Sequence, residues 1–232
     1  MEIIQNNDWV LTIDLNGGRI KELSYKGEKV LGTFERIDGK QGNTHICCPN
    51  FGGEGMEKFG LPFHGPFRNL EWNIVYKDEN KIEIEIESLD LKIKQIFGLT
   101  DSFEQRVIVK NLSNKSRLIN MAIHNYWDTK NDWQGTKLNN QLIDELVKSD
   151  SDQKLLSKNT LEIPGKLKYK WDLEGFKYGR FWTSFKEVEE KKEYDSDYVC
   201  IEPSWEKQGF LDKGENNLFG LATFEFKQKI EI

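Results

Sequence analysis

Four side chains break the strand pattern of this 232-residue chain at points where chemistry could be done. His64 stands four positions before Arg68 in "FHGPFRN", a stretch punctuated by Gly65 and Pro66 rather than an apolar periodic segment. His124 sits in "NMAIHNYWD" at the end of a strand and is followed by Tyr126, Trp127 and Asp128. Glu202 stands in "VCIEPSW" between Ile201 and Pro203, with Trp205 close behind. Polar residues that interrupt a scaffold pattern are where functional groups are sought. Taken singly, each has a bland reading. A lone histidine is more often a hydrogen-bonded framework residue, and a glutamate in an apolar strand needs water or a partner, because burying it ionised is costly. Taken together, two histidines, an arginine and a glutamate, each beside aromatic residues, suggest acid–base chemistry. A histidine and a glutamate facing one small molecule can give and take a proton near neutral pH. Aromatic faces can cover the C–H side of a sugar ring, so a carbohydrate is the expected ligand.

Composition narrows the field from the other side. Hydrophobic residues make up 37% and charged residues 31% of the chain, which describes a globular protein able to bury a core. The net charge of −6 argues against a general nucleic-acid or membrane-surface binder, since either needs a basic face. The N-terminal "MEIIQNNDWV" has no basic segment leading into an apolar one, and no run approaches the roughly 20 apolar residues of a membrane span, so a cytoplasmic protein is expected. Cys47, Cys48 and Cys200 lack the spacing of a zinc site or a disulfide framework and read as reduced, mostly buried thiols. No GxSxG elbow, P-loop, HExxH or dinucleotide fingerprint is present. "FGGEG" at 51–55 reads as a turn rather than a phosphate cradle.

The elements that must position these residues are strands. Asn16, Gly17 and Gly18 supply a tight turn inside "DWVLTIDLNGGRIKELSYKGEKVLG", which predicts an opening meander of two or three strands. "KIEIEIESLDLKIKQIF" alternates with period two, placing Ile82, Ile84 and Ile86 toward a core and Glu83, Glu85 and Glu87 toward water. "SFEQRVIVKNLSNKSRLINMAIHNYW" predicts another hairpin around a turn at Asn111 to Ser116. "DYVCIEPSW" and the terminal "FGLATFEFKQKIEI" read as further strands. Residues 139–149 carry the one helical spacing, and Lys186 to Asp197 reads as a solvated loop. With no repeat or linker, the pattern predicts an all-β chain folded as one antiparallel domain over 1–232, a sandwich or barrel.

These motifs, in this order, resemble those of the aldose 1-epimerases, the galactose mutarotases. "HGPFRN" resembles the family's His-Gly-x-x-Arg turn, and "LNGGRIKELSYKGEKVLG" its opening hairpins. "CCPNFGG" falls where the family carries a proline-glycine turn; "AIHNYWD" resembles its His-x-Tyr-aromatic strand end and "CIEPSW" its glutamate strand. The resemblance implies a large antiparallel β-sandwich, the supersandwich of that family, with a sugar on the concave face of one sheet. By position it makes His124 the general acid and Glu202 the general base, with His64 and Arg68 holding sugar hydroxyls. Many members place an aspartate between acid and base, for which Asp172 in "KYKWDLEG" is the candidate. Trp127 and Trp205 join as expected sugar-binding aromatics. The chain is shorter than the usual member, so loops around the cleft are trimmed.

The implied reaction interconverts α and β anomers of an aldose or aldose phosphate, with a small carbohydrate as sole partner and no cofactor. The expected pH profile is a bell bounded below by a carboxylate and above by an imidazole. Three alternatives stand beside it. One is a non-catalytic carbohydrate-binding module using Trp127, Trp205 and Phe67 as platforms. Another is a glycoside hydrolase, which needs a second carboxylate facing Glu202. The third is a metal site built from His64, His124 and Glu202. The sequence leaves monomer and dimer both open.

Overall fold

Local turn chemistry builds most of this fold. The computed structural model describes residues 1–6, 8–213 and 218–232. Gly17 and Gly18 adopt φ of 89° and 57°, and the hairpin they close joins Trp9–Asp14 to Arg19–Tyr25. The alternating comb divides at Leu89 and Asp90, both at φ 54°, into Lys81–Ser88 and Leu91–Leu99. Two successive residues at positive φ match the twist of flanking antiparallel strands. Ile82, Ile84 and Ile86 point inward, while Glu83 and Glu85 pair on the outer face with Lys94 at 3.1 Å and Lys92 at 2.8 Å.

Two large antiparallel sheets result. In one, Glu2–Asn6, Trp9–Asp14, Arg19–Tyr25 and Glu28–Glu35 form the expected opening meander. Ala122–Asp128, Tyr198–Ser204, Tyr178–Trp182 and Gln153–Lys154 continue the row. His45–Cys47 joins it by pairing with Ala122–Asp128. The other sheet runs in the order Gln141–Leu142, Lys137–Leu138, Lys158–Glu162, Lys168–Glu174, Thr223–Glu231, Phe103–Asn111, Leu91–Leu99, Lys81–Ser88 and Asn73–Lys77. The two face each other across one continuous apolar cluster, an antiparallel β-sandwich.

Three expectations need adjustment. The stretch from Ser102 to Trp127 is not a hairpin: Phe103–Asn111 belongs to one sheet and Ala122–Asp128 to the other, so residues 112–121 cross between layers. Alternation alone cannot tell a turn within a sheet from a crossing between sheets. Lys186 to Asp197 is exposed as expected, yet it folds as a hairpin of Phe185–Val188 with Lys191–Tyr194, turning at Glu189 and Glu190 with φ of 48° and 65°. The helical segment is confined to Ile143–Ser149. Among the described residues no helix is long and apolar enough to cross a membrane. The three cysteines are free and buried.

A polar chain crosses the core. Gln95 donates to the carbonyl of Gly18 at 2.9 Å, Gln105 to Gln95 at 2.7 Å, and Gln228 to Gln105 at 2.6 Å. Gln228 then exchanges hydrogen bonds with Asn125 at 3.0 and 3.2 Å and accepts one from the indole of Trp171 at 3.1 Å. All are buried, so each partner saves another from an orphaned polar group. Replacing Gln228 with Leu strands groups of three neighbours at about 1–3 kcal/mol each. Gln228→Leu should therefore lower unfolding stability by at least about 3 kcal/mol in a urea titration. A midpoint shift no larger than that of a surface variant would show that the network contributes nothing.

Candidate active site

Register places the polar side chains. Across adjacent strands, directly opposed residues point to the same face of a sheet. His45 is paired with His124, and Arg180 with Glu202. The flanking pairs Asn125 with Ile201 and Ala122 with Ser204 set His124 opposite Glu202. His45, His124, Glu202 and Arg180 thus form one lateral row over four strands. Tyr126, Cys200 and Trp182 form the next row on the same face. The intervening residues Ile123, Asn125 and Trp127 point the other way, into the core.

This outer face is covered rather than open to water. The segment from Asn50 to Arg68 brings Phe51, Phe63, His64 and Arg68 around His124 and Glu202, while Tyr198 and Cys200 pack against Phe34, Tyr126 and Trp182, so every residue from Tyr198 to Ser204 is buried. The turn that carries His64 is tight. His64 and Gly65 have φ of 61° and 77°, and a Cβ at Gly65 would overlap the carbonyl of Cys48. The His64 amide donates to the carbonyl of Gly52 at 2.8 Å, and the Gly52 amide donates back to His64 Nδ1 at 3.1 Å. That second bond fixes the tautomer, since an amide can only donate. His64 Nδ1 is the acceptor, also 3.1 Å from Cys47 Sγ, and the ring proton sits on Nε2. His45 is fixed the opposite way: its Nδ1 donates to the carbonyl of Asn43 at 2.7 Å, and its Nε2 accepts from Arg68 Nη1 at 3.2 Å.

The three imidazoles converge, with His124 centred 4.9 Å from His45 and 5.0 Å from His64. His124 Nδ1 lies 3.1 Å from Glu202 Oε2. The contact is close but not aligned as a hydrogen bond, and His124 Nε2 is buried without a protein partner. Tyr126 stacks on the His124 ring at 4.9 Å and 11°. His64, His124, Tyr126 and Glu202 floor a cavity of about 550 Å³, whose walls add Arg36, Arg68, Arg180, Trp182, Phe63 and Gln208. The Arg36 guanidinium lies 4.8 Å over Trp182 and 2.6 Å from Asp38, while Arg180 is held by Asp150 with Asp152 at 3.8 Å.

Burial sets the charge states. Glu202 is 3% exposed, and desolvation pushes its carboxyl up to about 8; Arg180 pulls it down and Asp152 pushes it up by lesser amounts. Desolvation likewise holds the His124 imidazole well below the usual range, helped by His45 and His64. His64 is lowered to about 3 by burial and then by Arg68 and Arg36, and His45 is also lowered well below the ordinary value. Burial thus disfavours charge on both members of the pair, favouring the neutral imidazole and the protonated carboxyl.

His64, Arg68, His124 and Glu202 are brought together as the sequence led one to expect. The aromatic and aspartate candidates are not. Trp127 lies between the sheets against Tyr169 and Trp171, at 5.8 and 5.5 Å. It follows Tyr126 on the strand, so it must face the opposite side. Trp205 packs on Phe224 and Phe226, and Phe67 is fully buried. Asp172 stands on the other sheet between the inward Trp171 and Leu173, so it points outward, beside Lys158 and Lys229. The sequence reading missed His45, Arg36, Arg180 and Trp182. Alternation in "YGRFW" groups Arg180 with Trp182, but only the strand order sets them beside Glu202.

No protein-family model and no curated protein matches the sequence. Solved structures do match. A galactose mutarotase related enzyme from Lactobacillus acidophilus superposes with a TM-score of 0.78 at 15% identity, over 99% of this chain and 96% of its own. A galactose mutarotase-like protein from Lactobacillus casei ATCC 334 gives 0.74 at 14% identity, over 100% and 99%. A protein of Synechocystis sp. PCC 6803 gives 0.77 at 15% identity, over 99% and 94%. At such identities the likeness is one of fold: an antiparallel β-sandwich of the galactose mutarotase-like type.

Proposed function

We propose that the chain is an aldose 1-epimerase that interconverts the α and β anomers of an aldose or aldose phosphate. The observation that carries this reading is the His124–Glu202 pair, 3.1 Å apart and buried in the floor of a sugar-sized cavity. The anomeric hydroxyl and the ring oxygen share one carbon, so an acid and a base that serve both must stand side by side. With the 3.1 Å contact turned into hydrogen-bond alignment on sugar binding, the Glu202 proton passes from Oε2 to His124 Nδ1, leaving carboxylate and imidazolium. Glu202 then takes the proton of the anomeric hydroxyl while His124 gives the Nε2 proton to the ring oxygen. The C–O bond to the ring oxygen breaks, its electrons stay on that oxygen, and an aldehyde forms. Rotation and closure with reversed roles give the other anomer. Each transfer is worth about 10²–10⁴ in rate, so these two groups suffice without a cofactor.

His64 and Arg68 are proposed to hold sugar hydroxyls, and Trp182 takes the aromatic role first expected of Trp127 and Trp205. Arg36, Lys40, Arg68 and Arg180 line the cavity and suit a phosphate-bearing aldose. A glycosidase would need a second carboxyl across the cavity, and Asp150 is 81% exposed and held by Arg180.

Freshly dissolved α-D-glucose, α-D-galactose or one of their 6-phosphates should reach anomeric equilibrium faster with the protein, followed by polarimetry or NMR exchange. His124→Asn and Glu202→Gln should each lower kcat by at least about 10²-fold with KM changed only a few-fold, and the double variant should be little worse. Sugars that bind without any acceleration would instead identify a binding module.

The pH profile follows from the burial shifts. The active pair holds one labile proton, whichever of the two groups carries it. Glu202, raised to about 8, keeps that proton below this value and releases it above, so kcat/KM should fall above pH 8. His124, lowered, gains a second proton only well below 6.5, which sets the acid limb. The limbs are therefore exchanged relative to the sequence expectation, and Glu202→Gln should abolish the alkaline one in its residual activity. A wild-type profile still rising through pH 9 would overturn the shared-proton scheme.

A further inference from the structure

The acid–base reading leaves one buried thiol beside the histidines unused. Cys47 follows His45 by two residues on the same short strand, so its thiol emerges on the same face. Cys47 Sγ and one ring nitrogen from each of His45, His64 and His124 all lie within 4.8 Å of one another, and all four residues are buried. We propose that this His₃Cys cluster binds a borderline-soft divalent cation, zinc above all, and that occupancy silences the site. The binding stands on the cluster alone; only the silencing rests on the epimerase reading.

Several independent features favour a ligand here. Both ring nitrogens of His124 are buried without a hydrogen-bond partner, an expensive arrangement unless something else meets them. Three imidazoles and one thiolate are a donor set for tetrahedral zinc, with bonds of about 2.0–2.1 Å to nitrogen and 2.3 Å to sulfur. Such bonds put neighbouring donors roughly 3.3–3.7 Å apart, so the present cluster has to contract by about 1 Å, within reach of side-chain rotation. Of the three imidazoles only His124 is uncommitted; the Gly52 amide now donates to His64 Nδ1 and has to yield, or the ring proton has to move from Nε2, for His64 to ligate. Cys47 must give its proton to solvent as the metal–sulfur bond forms. The thiolate and the nearby Glu202 carboxylate offset the dication. Arg68 opposes it, because Nη1 now occupies His45 Nε2 and has to withdraw. Binding should thus be reversible rather than that of a permanent structural zinc. Magnesium and calcium, which take oxygen ligands, should be refused.

The test is a titration of chelator-treated, full-length protein with cobalt(II) as a spectroscopic stand-in. Expected are one equivalent bound, tetrahedral visible bands and a near-ultraviolet sulfur-to-cobalt band, all bleached by one equivalent of zinc and untouched by excess magnesium. Zinc should halt anomer exchange and a chelator should restore it. Cys47→Ser, which keeps a donor toward His64, should lose the sulfur band and bind zinc at least tenfold more weakly, while exchanging anomers normally without metal. X-ray absorption on the zinc-loaded wild type should find one sulfur neighbour at about 2.3 Å, which covers a variant that fails to fold. Absence of a sulfur neighbour, or equal affinity in Cys47→Ser, overturns the site. A sulfur band in a protein that exchanges no anomers would retain the metal site and remove the epimerase reading.

Discussion

The register between Ala122–Asp128 and its neighbours is the constraint on which everything else depends. In a strand the side-chain period is two, so a slip of one residue would send His124 into the apolar core and Trp127 onto the ligand face. The interior prevents that slip twice. Trp127 is wedged against Tyr169 and Trp171 of the opposite sheet, and Asn125 is locked to Gln228. His124 is thereby aimed outward by what its two chain neighbours do on the inside. The His124–Glu202 pair owes its geometry to contacts on the far face of the sheet.

The covering segment then changes the chemistry of what the register has assembled. Burial is the largest cause of the shifts at His45, His124 and Glu202. Closing Asn50 to Arg68 over their row removes water, raises the carboxyl and lowers the imidazoles. Within the cover His64 and Gly52 exchange bonds and Glu54 accepts from the amide of Phe51 at 2.7 Å. Glu54 also accepts from the amide of Leu211 at 3.2 Å, and the Gly55 amide donates to Asp212 at 2.8 Å, which ties the cover to the segment at 210–213. Neither His124 nor Glu202 gains from carrying a lone charge in that closed setting.

How much of this was legible in sequence follows from which facts are local. The turn at Gly17, the comb around Ile84, and the break in pattern at His64, His124 and Glu202 are local, and the fold class and half the site came from them. The strand order is not local. Arg180 and His45 stand beside Glu202 and His124 only because strands distant in the chain lie side by side. Proximity in sequence also misled: Trp127 and Trp205 lie next to polar residues in the chain, and each is buried in the apolar interior. Asp172 fails for the same reason, standing between two inward residues.

The same closure explains why one site can suit two kinds of ligand. An imidazole with an uncommitted nitrogen can serve either as a proton donor to a ring oxygen or, deprotonated at that nitrogen, as a zinc ligand. Catalysis needs that nitrogen to stay uncommitted, yet burial makes an uncommitted nitrogen costly. His45 and His64 escape the conflict because Asn43, Arg68 and Gly52 satisfy them. His124 does not, and its unpaired nitrogens are where both a sugar and a metal would be drawn.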